Sequence, residues 1–393
     1  MLNNNFIYKF YYEWWKNIDK SILFLIILLF GLGLFFSLVS TSLIVSDKLN
    51  TNSYYFFFKH LFFIGLGFFF IIFFSSLKQK NLLKLSFFLF IVCFIFLLLV
   101  PIIGIEVKGS KRWLDFFFLP RFQPIELLKP FIIITVAAVL CSEKNDNIYN
   151  KYFLSLVLIL PILFLLITQP DIGQTFLVFL TWLSLVFTSG INLVIFFLFF
   201  GIMIFFLLYL ILFVSKFNYI LIRLKSFFDP SSGNNYQSEK ASEAIINGGF
   251  FGKGIGEGVL KNRVPEAHTD YIVSVISEEF GALIIIFLMM TFLFFIYQVF
   301  KKLYFEKNDK VKLILVGSIS ILLIQALIHI GVNIRLFPTT GMTLPFLSYG
   351  GSSIIGTSIL SGIILNLTKR KINYNLTNDS TYYNNLLLYC WID

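Results

Sequence analysis

The chain has 393 residues, 58% of them hydrophobic and only 13% charged, with a mean hydropathy of +0.86; a soluble domain carries about 25% charged residues. That excludes a string of soluble domains and implies an all-α, polytopic membrane protein. The 31 basic and 21 acidic residues leave a net charge of +10, but the basic residues gather between apolar runs, which indicates orientation in a membrane rather than nucleic-acid binding. Cys93, Cys141 and Cys390 are widely spaced and imply neither a disulfide framework nor a zinc site.

Judged against the ~20 residues a membrane helix needs, ten apolar runs are expected to span: 22–45, 56–74, 85–103, 124–141, 152–168, 172–188, 191–214, 272–300, 313–332 and 350–368. The first is too long for a signal-peptide core and should stay attached. With ten spans and the N-terminus inside, 16 Lys and Arg fall in cytoplasmic segments and 6 in short outer loops. This places both termini in the cytoplasm by the positive-inside rule. The expected organisation is a cytoplasmic segment 1–21, a membrane domain 22–371 with one large extracytoplasmic loop at about 215–271, and a loosely ordered cytoplasmic tail 372–393. No repeat is visible. The loop is too short to be a catalytic domain, so any chemistry must come from loops and helix ends together.

Four polar motifs open even-numbered helices, which this topology places at the outer face. Gln123-Pro124-Ile125-Glu126 opens the fourth span and Gln169-Pro170-Asp171-Ile172-Gly173-Gln174-Thr175 the sixth. His268-Thr269-Asp270 opens the eighth, and Ser348-Tyr349-Gly350-Gly351-Ser352-Ser353 the tenth. Helix N-termini carry unpaired N–H groups and the positive end of the dipole, so their convergence would make an anion-receptive cavity. Along the eighth span Asp270, Ser274, Ser277, Glu278 and Gly281 form one stripe at helical spacing. Polar groups at that depth are costly, so the stripe should face a wet groove or a partner. Glu126 and Lys129, three apart, could satisfy each other.

Plainer readings stand beside these. Pro124 could be ordinary first-turn capping, Asp171 and Asp270 simple N-caps, His268 an interfacial histidine, and Gly350 to Ser353 close helix packing. The glycine-rich stretch 248–258 (GGFFGKGIGEG) has Gly254 after Lys253 where a phosphate loop needs Ser or Thr, so a flexible loop is expected there.

Taken in order, Gly109-Ser110-Lys111-Arg112-Trp113, Gln123-Pro124-x-Glu126-x-x-Lys129, Gln169-Pro170-Asp171-x-Gly173, Pro265-Glu266-Ala267-His268-Thr269-Asp270 and Pro345-Phe346-x-Ser348-Tyr349-Gly350-Gly351-Ser352 resemble the shape, elongation, division and sporulation (SEDS) family. The resemblance runs from Ile22 to Lys371, with Ile125 where the family usually has Ser. Ala267, together with Thr339-x-Gly341-Met342-Thr343-Leu344-Pro345, is similar to the division branch (FtsW-like); the elongation branch (RodA-like) tends to carry a charge at position 267. Lying on the loop before the eighth helix, Ala267 is expected to be exposed to a partner or substrate.

The resemblance implies a peptidoglycan glycosyltransferase that polymerises lipid II on the outer face of the cytoplasmic membrane, at the division septum. It assigns Asp270 as the essential carboxylate, suited to take the proton of the attacking sugar hydroxyl. Substrate-binding candidates are Lys111, Arg112, Glu126, Lys129, Asp171, Glu266, His268, Arg335 and Ser352, with Arg121 and Arg263 as further outer-side cations for the diphosphate leaving group. A divalent cation (Mg2+ or Mn2+) is a candidate assistant, and no organic cofactor is implied. Partners implied are a class B penicillin-binding protein transpeptidase and other divisome proteins. A lipid II flippase and an elongation-type polymerase are the alternative functions. A flippase would distribute polar residues through the membrane depth, whereas here they concentrate at one face.

Overall fold

In the computed structural model the described residues are 4–40, 54–107, 110–116, 119–142, 148–214, 217–228, 236–258, 264 and 266–369. Gly109, Arg263, Pro265, Cys390 and the tail beyond 369 lie outside them. The chain begins with α1 (Asn4–Asn17), α2 (Lys20–Ser40), α3 (Tyr55–Ser76) and α4 (Gln79–Ile103). A small antiparallel sheet follows, β1 (Ile105–Val107), β2 (Ser110–Phe116) and β3 (Leu119–Phe122), in the order β1-β2-β3. Then come α5 (Pro124–Leu140), α6 (Ile148–Thr168), α7 (Ile172–Thr188), α8 (Leu193–Phe213), α9 (Asn218–Phe228) and α10 (Tyr236–Gly248). The chain continues through α11 (Ile272–Phe280), α12 (Ala282–Phe305), α13 (Asp309–Asn333) and α14 (Gly351–Leu367).

By length and composition α2, α3, α4, α6, α12 and α13 can each cross a membrane, and α7, α14 and part of α8 are shorter apolar helices. Apolar side chains such as Phe62, Phe88, Phe164, Phe197 and Phe205 point outward, as expected where the solvent is lipid rather than water. Two helices are buried on almost every face. They are α5, from Pro124 to Ala137, and α14, from Ser352 to Leu367, and they form the centre around which the others pack. The small residues of α14 allow this: a Cβ on Gly351 would lie 2.6 Å from the Phe63 ring, and one on Gly356 would lie 2.3 Å from the Glu126 carbonyl oxygen. Close packing therefore accounts for part of the Gly350-to-Ser353 motif. At the opposite end of α14, Asn366 Nδ2 donates to the carbonyls of Phe74, Ser75 and Leu77, capping α3.

The structure departs from expectation at three places. The β-sheet occupies what the sequence presented as a plain loop. It holds Lys111 and Arg112 on adjacent, and therefore oppositely facing, positions of β2. Next, the eighth run is two helices, not one: Gly281, at φ 80° and ψ 177°, separates α11 from α12. The third is the glycine-rich stretch, which is docked rather than free. Lys253 N and Gly254 N donate to the carbonyls of Glu278 and Glu279 (2.9 and 3.0 Å), while Ala282 N and Leu283 N donate to those of Gly249 and Phe250 (2.9 and 3.3 Å). A broken helix in an apolar setting must have its freed backbone groups satisfied, and this strap satisfies four of them. Its glycines are needed for the approach: a Cβ on Gly252 would lie 2.2 Å from Glu279 O, and one on Gly281 2.2 Å from Phe250 O.

Candidate functional site

The sheet, the start of α7 and the 334–350 segment bring the polar motifs together. Arg112, projecting from β2, donates from Nε to Gln169 O at 3.3 Å and from Nη2 to Pro170 O. Its Nη1 lies 3.7 Å from Asp171 Oδ1. Asp171 also accepts from Gln123 Nε2 at 2.8 Å and, as the N-cap of α7, from Gln174 N at 3.4 Å. The capping reading of Asp171 is thus correct but incomplete, because the same carboxylate anchors Arg112. Burial pushes the Asp171 carboxyl up from the ordinary carboxylate value, against the pull of the Arg112 charge and the Gln174 hydrogen bond.

Asp270 is not a cap. The N-cap of α11 is Tyr271, one residue later. What positions Asp270 is α13: Asn333 Nδ2 donates to Asp270 O at 3.1 Å while Asn333 Oδ1 accepts from Ser274 N and Oγ (3.2 and 2.7 Å). The next segment is stitched in as well, since Ser348 Oγ donates to Thr269 O at 2.7 Å and Tyr349 N to His268 O at 3.1 Å. Asp270 Oδ2 and Arg112 Nη1 meet at Gly341, where a Cβ would lie 3.6 Å from the first and 3.9 Å from the second. The absence of a side chain at Gly341, which has φ 69°, leaves a carboxylate and a guanidinium facing one space. A carboxylate there can take a proton from a hydroxyl, and a guanidinium can stabilise a developing phosphoryl charge.

Behind this space runs a buried polar network. Glu126 and Lys129 pair at 2.7 Å, as their spacing suggested. Gln174 Nε2 donates to Glu126 Oε1 at 2.6 Å, and Lys129 Nζ donates to Gln325 Oε1 at 2.9 Å. Gln325 Nε2 then donates to Thr343 O at 2.8 Å, and Thr343 Oγ1 is 2.7 Å from Ser353 Oγ. These contacts link α5, α7, α13 and α14 to the 339–350 segment.

The other candidates are placed differently. His268 packs its ring 4.7 Å from Phe56 and 6.0 Å from Tyr349. Glu266 closes a turn, its carbonyl accepting from Thr269 N and Tyr271 N (3.1 and 3.3 Å). Ser352 is buried at the start of α14, and Lys111 is exposed opposite Glu106 in the sheet. Arg121 pairs with Asp115 at 2.9 Å. Arg335 lines a neighbouring cavity with Arg223. Among the described residues no cluster of three or more His, Cys, Asp or Glu could hold a metal.

One expectation is corrected and another is resolved between its alternatives. Ala267 is buried, 5% exposed, so its methyl group is a packing element and cannot be touched by a partner there. The stripe Ser274, Ser277, Glu278 and Gly281 faces no groove. It is covered by α13, α10 and the glycine strap, with Asn247 Nδ2 donating to Glu278 Oε1 at 3.2 Å. The partner the stripe required is the chain's own 236–258 segment.

Sequence reading missed Gln325, His329 and Asn333, and the signal was there. They recur every four residues on one face of an otherwise apolar helix. His329 Nδ1 sits 2.7 Å from Met342 O, so all three fix the segment that carries Gly341 or the residue facing it.

The cell cycle protein family of FtsW, RodA and SpoVE matches residues 20–373. The chain is similar to the probable peptidoglycan glycosyltransferase FtsW of Caulobacter vibrioides, at 31% identity over 91% of each chain. It is also similar to that of Coxiella burnetii, at 34% identity over 89% of this chain and 95% of the other. Among solved structures it resembles a chain from a peptidoglycan synthase complex that coordinates polymerization and crosslinking, with TM-score 0.72 and 26% identity over 89% and 97% of the two chains. Its fold is also that of the rod shape determining protein RodA of Thermus thermophilus, with TM-score 0.65 and 24% identity over 89% and 96%.

Proposed function

The chain belongs to the FtsW/RodA/SpoVE family of cell cycle proteins, and on that premise we propose that it is the division-type peptidoglycan glycosyltransferase, polymerising lipid II into glycan strands. The observation that carries the reading is the meeting of Asp270 and Arg112 at Gly341. Asp270 accepts the proton of the acceptor sugar's hydroxyl as it attacks the donor's anomeric carbon. Arg112, held by Asp171 and two backbone carbonyls, stands where the departing lipid diphosphate needs positive charge. The exposed apolar helices give the lipid chains a path along the protein. A divalent cation, Mg2+ or Mn2+, is proposed to arrive on the diphosphate, since Mg2+ is usually held by one or two carboxylates together with substrate phosphates.

The site is proposed to face outward, with both termini in the cytoplasm, in a chain that works at the septum beside a class B penicillin-binding protein. A Cys replacing Lys307 should be shielded from an impermeant label on intact cells, and one replacing Phe251 should react; the reverse pattern removes an extracellular polymerase. The activity itself is tested with purified protein and lipid II in detergent, with and without such a transpeptidase. Glycan strands are expected, and transport of lipid II across vesicles without polymer would establish the flippase instead.

A further inference from the structure

Beside the Asp270–Arg112 space lies a cavity of about 170 Å³. Its polar wall is Arg223 and Ser226 from α9, Ser238 from the first turn of α10, and Arg335, two residues past the end of α13; Phe227 and Phe337 line it on the apolar side. None of the described lining residues is acidic. Among the described residues Arg223 has one hydrogen bond, a 3.5 Å contact to Thr339 O. Burial and the nearby Arg112 charge pull its pKa down, and Tyr219 and Asp171 offset this only in part. Arg335 is half-buried and held at φ 60°, a left-handed backbone that a side-chain-bearing residue adopts at a cost. Outliers of this kind concentrate at functional sites. Two guanidiniums converge beside aromatic rings, with no carboxylate among the described lining residues. That combination matches an anion attached to an apolar body.

We propose that Arg223 and Arg335 form a second anion site that holds a phosphoryl group carrying an apolar chain. The site is distinct from Asp270 and adjoins it through the segment from Thr339 to Gly341. The cavity's own chemistry carries the inference; it rests on the polymerase reading only in expecting a lipid-linked diphosphate as the natural source. Two guanidiniums are well matched to a diphosphate that waits before reaction or is retained after it.

Binding is read on the purified full-length protein, without turnover. Farnesyl diphosphate is the probe for a chain-linked diphosphate, followed by titration in detergent. Phosphatidylglycerol is the probe for a bilayer headgroup, followed by its retention in native mass spectrometry. Arg335→Gly is the informative variant, because glycine suits φ 60° and removes the guanidinium without disturbing the fold. It should unfold at the wild-type temperature or above while weakening binding at least tenfold, and Arg223→Gln should do the same to binding. Loss confined to farnesyl diphosphate assigns the site to a lipid-linked diphosphate, and loss confined to phosphatidylglycerol assigns it to a phospholipid headgroup. Both variants binding both probes like the wild type, or a wild type that binds neither, overturns the proposal. A protein that binds in this Arg335-dependent way yet makes no glycan keeps the site and loses the polymerase reading.

Discussion

Two oppositely charged pairs lie close together in this protein and serve different ends. Glu126 and Lys129 are buried at 4% and 5% exposure, 2.7 Å apart, with Gln174 and Gln325 completing their hydrogen bonding. Arg112 and Asp270 come from distant parts of the chain and are partly accessible, and a Cβ at Gly341 would lie within 4 Å of both. A locked pair in an apolar interior specifies geometry and has no capacity left for a substrate. A pair that meets across a glycine keeps room for a reacting group. We therefore propose that Glu126 and Lys129 build the site and that Arg112 and Asp270 work in it.

The largest effect should come from neither pair but from the frame they share. Gly281→Val places a side chain against Phe250 O at a backbone φ of 80°. It should cost more than about 4 kcal/mol, a size reserved for such clashes, and be seen as loss of folded protein in size-exclusion chromatography. Glu126→Ala strands the Lys129 charge and should lower stability by about 3–5 kcal/mol, read as thermal unfolding in detergent. Replacing both, Glu126→Gln with Lys129→Met, should cost far less than the single change, because no charge is left unpaired. Gly341→Ala sharpens the contrast from the other side. Its left-handed backbone costs about 1–2 kcal/mol, yet polymerisation should fall further than stability, since the methyl group enters the space between Asp270 and Arg112. Smallest of all, Lys111→Gln on the exposed face of β2 should change stability by less than about 0.5 kcal/mol.

Hydropathy revealed the helical class and the order of the apolar runs, because burying apolar surface in lipid leaves a signal in every window. Period alone could not show that the eighth run is broken. A glycine within a helical pattern is usually tolerated, and the strap at 248–258 that fills the break comes from a different part of the chain. The sheet was missed because its strands are three, seven and four residues long. For the site, the motifs naming Asp171 and Asp270 were legible, and so was the spacing of Glu126 and Lys129. Which of them would stay accessible was not, because that depends on what packs over them. Ala267 shows the same limit: a loop position near a helix start reads as exposed, and the methyl group is buried. Gly341 was legible only as a member of a family motif and Arg223 gave no local signal, since their importance arises from neighbours on other elements.

We propose that the Asp270 carboxylate performs the proton transfer, a role separate from the building role of the buried Glu126–Lys129 pair. The proton-transfer role is tested most directly by glycan synthesis from lipid II with purified Asp270→Asn. Asparagine is isosteric, and the Asn333 hydrogen bond goes to the Asp270 backbone, so folding should be retained. Wild-type thermal stability is expected, with polymer formation reduced by about 10²–10⁴-fold. Polymer made at near the wild-type rate by this variant would contradict that role.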